Sequence, residues 1–84
     1  MADLKLQIKT VLTRAMRLQD TRPEDIADDV VLFGKEGMGF DSVDALELAV
    51  ELEREFDILM PDDAEHQDVY RSVNTLATWI ADHR

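Results

Sequence analysis

The chain has 84 residues, no cysteine, and 19 acidic against nine basic residues, for a net charge of −10. A chain this short forms one small domain over residues 1–84 and buries only about 60–65% of its unfolded surface, so its stability must come from well-packed helices. The acidity argues against nucleic acid and anionic membrane as partners, and the missing cysteines leave neither disulfides nor a thiolate site of the chain's own.

The first element is a helix carrying Leu4, Ile8, Val11, Ala15 and Leu18 on one stripe, widened by Leu12, and expected to run to about Gln19. It is also where the positive charge collects. Lys5, Lys9, Arg14 and Arg17 stand against Asp3 alone, while the remaining residues hold eighteen acids and five bases. Asp20-Thr21-Arg22-Pro23 breaks the helix, and Pro23 suits the first position of one short turn over Pro23-Glu24-Asp25-Ile26. A long connection from Ala27 to Asp41 follows. Its Val30-Val31-Leu32-Phe33 run has no partner strand, so it reads as a loop that tucks Val30, Leu32 or Phe33 into a helical core. Gly34-Lys35-Glu36-Gly37-Met38-Gly39 reads as flexible, because glycine accepts backbone angles that other residues resist.

The second helix, about Ser42 to Asp57, is the best-defined element. Ala45, Leu48, Leu52 and Phe56, with Ala49 beside them, form its core stripe. A third, short helix is expected from Pro61-Asp62-Asp63 to about Val69 or Tyr70. The last helix starts at an N-cap, Ser72, and turns Val73, Leu76, Ala77 and Ile80 inward. The expected architecture is therefore an all-α four-helix bundle with a long first loop and a short third helix. No segment reaches the apolar length of a membrane span, and no signal-peptide pattern appears near Met1.

The second helix has an unusual start. Gly39 lets the backbone turn, Phe40 can anchor the loop end in the core, and either Asp41 or Ser42 can serve as N-cap. Asp44 adds negative charge in the first turn, where it complements the helix dipole. A helix N-terminus also favours a covalently held phosphate. Capping alone accounts for a Ser and an Asp at such a position. The helix behind them asks for more, because Val43, Leu46 and Val50 form a second apolar stripe flanked by Glu47, Glu51 and Glu53. Apolar side chains among carboxylates suit a transient docking surface for a basic partner.

Asp41-Ser42-Val43-Asp44 resembles the Asp-Ser-Leu-Asp signature of acyl carrier proteins, with valine in place of leucine. Glu47, Leu48, Leu52, Glu53, Phe56 and Asp57, then Pro61-Asp62, also fall where that family has them, so the match is strong over residues 39–63 and looser over the flanking helices. The resemblance implies a non-catalytic carrier, with 4′-phosphopantetheine attached to Ser42 by a phosphopantetheinyl transferase using coenzyme A. The arm's thiol would hold acyl groups as thioesters in fatty-acid, polyketide-like or lipid biosynthesis. It further implies that Asp41, Val43, Asp44, Glu47, Val50, Glu51 and Glu53 meet acyl-loading, condensing and acyltransferase-type enzymes with basic docking patches. Leu46, Ala49 and Leu52 become candidates for lining an acyl pocket. A monomeric, cytoplasmic protein is expected.

Two segments, Phe33 to Gly39 and Asp62 to Ser72, look longer than in housekeeping carriers, which points to a specialised pathway. Aminoacyl or peptidyl carriers share the fold but usually have a less acidic residue before the serine, so Asp41 favours acyl cargo. An unmodified acidic interaction module is the competing reading from another class. His66, in an acidic run, has neither EF-hand order nor zinc spacing, so no metal site is expected. His83 is expected to fray with the terminus, and Trp79 to be a half-buried packing residue.

Overall fold

The structure, a computed structural model, describes residues 2–35, 37–62 and 65–84. Three α-helices form among them: α1 (Ala2–Ala15), α2 (Ser42–Phe56) and α3 (Val73–His83), with one 3-10 turn at Pro23–Asp25 between α1 and α2. The periodicity read from the sequence sets what each helix buries. Leu4, Ile8, Val11 and Leu12 of α1 meet Ala45, Leu48 and Leu52 of α2 and Val73, Leu76, Ala77 and Ile80 of α3 in the core. Helix α1 packs against both of the others and against the 3-10 turn. Burying such side chains stabilises by about 1.5–3 kcal/mol for each large aliphatic residue.

Helix α1 ends at Ala15, short of the expected Gln19. Arg17 adopts a left-handed conformation (φ 55°). The Leu18 amide then bonds the Thr13 carbonyl at 2.9 Å and the Arg17 amide bonds that of Arg14 at 3.3 Å. This closes a Schellman motif, which satisfies the last carbonyls without the glycine that usually announces it. Helix α2 also ends on a left-handed residue, Asp57 (φ 54°), whose amide and that of Ile58 both bond the Glu53 carbonyl.

The connection between α1 and α2 is a loop, as expected, with Leu32 fully buried and Val30 and Phe33 packed against the core. Hydrogen bonds join the described ends of the glycine segment to the residues flanking it. Met38 N–H bonds the Val31 carbonyl, Phe40 N–H that of Leu32, and Gly34 N–H that of Phe40, at 2.9–3.2 Å. Gly37 is required there, because a Cβ would overlap the Val31 carbonyl. Glu36 lies outside the described residues. Farther upstream, the Asp28 carboxylate meets Lys9 at 2.6 Å and Lys5 at 3.7 Å, and its carbonyl accepts from the Asn74 amide at 2.9 Å. One residue thereby joins the connection to α1 and α3. The Lys9 hydrogen bond holds the Asp28 carboxyl below the usual carboxylate range.

The expected third helix is not seen among the described residues of 61–72, which follow a succession of turns. Asp63 and Ala64, part of the expected helix start, lie outside the described residues. Glu65 to Asp68 are all exposed, whereas Val69 and Tyr70 are adjacent and both buried, so the described residues present no helical stripe to hold this segment on the core. Instead the Tyr70 hydroxyl donates to the Pro61 carbonyl at 2.7 Å, and the Thr75 hydroxyl to that of Val69 at 2.8 Å. Ser72 caps α3 as expected, in a reciprocal capping box with Thr75. His83, expected to fray, is placed within the helix. It is the last residue of α3, and its ring stacks on the half-buried Trp79 at 3.7 Å.

Candidate functional site at the start of the second helix

The turn into α2 begins with Gly39 at φ 84°, a left-handed angle that favours glycine. Phe40 follows and is buried, its ring edge-on to Phe33 with centroids 5.9 Å apart. Phe40 and the buried Ala45 occupy the two positions of a hydrophobic staple, which fixes the angle at which the chain enters the helix.

The cap is Asp41. One carboxylate oxygen accepts from the Val43 amide at 3.0 Å and the Asp44 amide at 3.1 Å. Asp44 returns the contact, accepting from the Asp41 amide at 3.0 Å. Two aspartates three residues apart thus close a capping box with Ser42 held between them at the first helical position. The Ser42 side chain is exposed, and among the described residues no hydrogen bond engages its hydroxyl. The serine is therefore placed by the cap without serving as one.

A cavity of about 440 Å³ adjoins Ser42. Its walls come from the loop (Val31, Phe33), from the start of α2, and from the turn segment (Gln67, Tyr70, Arg71). The Leu32 amide bonds the Arg71 carbonyl at 2.9 Å and so fastens two of these walls together. Arg71 and Gln67 escaped the reading of the sequence. The only available signal was that Arg71 is one of five bases in an acidic stretch.

The outer face of α2 presents the second stripe as expected: Val43 is 63% exposed, Leu46 64% and Val50 40%. The acids around it are not equivalent. Asp41 and Asp44 are engaged in the cap. Glu51 pairs with Arg14 and Arg54, each at 3.5 Å, and Glu53 accepts from the Met60 amide at 2.9 Å. Glu47 is exposed and, among the described residues, without an ion pair. The acyl-pocket candidates differ in burial. Leu46 faces solvent, Ala49 sits half-buried at the core edge, and Leu52 is fully buried in the core, where close packing leaves it no void to line. None of the three lines the cavity beside Ser42.

Compared with known families, residues 7–80 match the family described as phosphopantetheine attachment site. The chain belongs to this family of carrier proteins. Comparison with individual curated proteins gave no match. The prosthetic group of the family is 4′-phosphopantetheine, held covalently. The geometry at the start of α2 fits it, with an exposed and unengaged hydroxyl, a helix N-terminus that tolerates a phosphodiester, and room beside both. A carrier of this kind meets a phosphopantetheinyl transferase and the enzymes that load and unload the arm. No described helix is long and apolar enough to cross a membrane.

Proposed function

We propose that the protein is an acyl carrier modified at Ser42, moving acyl intermediates between enzymes of a specialised biosynthetic pathway without catalysing their chemistry. The observation that carries this reading is the Ser42 hydroxyl: exposed at the first position of α2, and relieved of capping by Asp41. When bound, 4′-phosphopantetheine supplies a terminal thiol able to hold cargo as a thioester. The chain's own residues do the rest. Asp41 and Asp44 fix the first turn so that the serine faces a visiting transferase, and Val43, Leu46 and Val50 offer an apolar landing strip. Glu47 supplies the unpaired negative charge that orients a basic partner. Acyl cargo is favoured over aminoacyl cargo by the aspartate before the serine. The protein works as a monomer in the cytoplasm, a reducing compartment that keeps a thiol usable and holds the coenzyme A from which the arm comes.

Co-expression with a promiscuous phosphopantetheinyl transferase, followed by intact-mass measurement, tests the reading. The expected outcome is a gain of one phosphopantetheinyl group, absent from Ser42→Ala. An unchanged wild-type mass would sink it and leave an unmodified interaction module in front. Loading assays with acyl and aminoacyl donors then separate the two cargo classes.

A further inference from the structure

The cavity beside Ser42 has mixed walls. Phe33, Phe40 and Tyr70 contribute rings, while Gln67, Asp68 and Arg71 contribute polar groups. Such walls suit a ligand that alternates amides with methylene and methyl groups. They suit a saturated acyl chain poorly, because it gains most where no polar group must be desolvated. The volume, about 440 Å³, lies in the range of sites for small organic groups.

Arg71 is the base on this wall, and among the described residues its guanidinium forms no ion pair. Arg14, Arg22 and Arg54 have acidic partners, whereas Arg17 and Arg84, like Arg71, have no ion pair among the described residues. Its backbone is pinned, with the carbonyl accepting from Leu32 and the amide bonding the Asp68 carbonyl at 3.4 Å. The guanidinium is thus left free at the cavity, close to where a phosphodiester on Ser42 would begin. Of the acids on the same walls, Asp41 is already engaged by two amides. The charge of Asp68 would repel a phosphate that Arg71 did not balance.

We infer that Arg71 is a positioning residue for the arm: its guanidinium pairs with the phosphodiester on Ser42, and the cavity receives the amide-bearing pantetheine stretch in place of the acyl chain. A planar guanidinium can hold two phosphate oxygens at once, which fixes direction as well as distance. The inference rests on the Ser42 reading, and the two fail in different ways. If intact mass shows no phosphopantetheinyl group on Ser42, the function reading falls and this inference falls with it.

With modification complete, nuclear Overhauser contacts between the pantoate methyl protons and the rings of Phe33, Phe40 and Tyr70 are expected in the wild-type holo-protein. The ³¹P resonance should differ from that of the same protein unfolded in urea. Arg71→Gln should lose the contacts and move the ³¹P resonance toward its unfolded position, with the amide spectrum of the three helices unchanged. Arg71→Lys should restore part of both. A fully modified wild type without contacts between arm and rings would overturn the inference. So would an Arg71→Gln variant that keeps them, or an Arg71→Lys variant no better than Arg71→Gln.

Discussion

At the scale of single residues, the Asp41-Ser42-Val43-Asp44 motif is a capping box that contains a hydroxyl it does not use. Asp41 accepts two amide bonds and Asp44 returns one, so the serine between them is oriented by its neighbours. This division of labour predicts unequal costs. Asp41→Ala should lower the unfolding free energy by about 1 kcal/mol, whereas Ser42→Ala should change it by roughly a few tenths at most. Urea denaturation monitored by helical circular dichroism measures both, and equal losses would mean that Ser42 shares the cap. The motif was visible in the sequence, but which of Asp41 and Ser42 capped the helix was not. Asp and Ser are near-equal N-cap formers, and only the path of the chain through Gly39 and Phe40 chooses between them.

At the scale of elements, α2 divides its apolar residues between two clients, the core and the solvent. Leu52 is fully buried while Leu46 is 64% exposed, and both had been candidates for the same pocket. Leu52→Ala should therefore cost about 2–5 kcal/mol, and Leu46→Ala should stay within about 0.5 kcal/mol of wild type by the same denaturation assay. Leu46→Ala should nonetheless slow partner turnover, since its side chain belongs to the docking stripe. Glu47→Lys probes the electrostatic half of that face. Helicity should persist while turnover by a basic partner enzyme drops, most strongly at low salt. Unaltered turnover would remove Glu47 from the docking surface. Glu53 is a poorer probe, since replacing it also removes the acceptor for the Met60 amide. The stripes of all three helices were legible because a period of 3.6 writes itself directly into sequence. The stops were less so. Arg17 takes the left-handed position without glycine, and Pro61-Asp62 starts a segment whose only buried apolar residues, among those described, are the adjacent Val69 and Tyr70.

At the scale of the whole molecule, the basic first helix and the acidic remainder meet at Asp28, which is held by Lys9 and Lys5 and whose carbonyl reaches Asn74. The folded carboxyl titrates below its ordinary value, chiefly through the Lys9 hydrogen bond. Its contribution is complete above about pH 4, the ordinary carboxylate value, and disappears as pH falls through the depressed folded value. Asp28→Asn should accordingly be less stable than wild type at neutral pH, with the difference shrinking in that acid window; a difference constant with pH would exclude the linkage. The cavity beside Ser42 was the least legible feature, because its walls come from the loop, the start of α2 and the turn segment, and the first and last of these carry no periodic pattern. The origin of those two walls outside the helices has an evolutionary consequence. Substitutions in residues 31–40 and 67–71 can retune what fits beside the serine while the exterior of α2 stays as its visitors require. Seating the arm and receiving a new enzyme are thus separate problems for selection, solved in different parts of the same small chain.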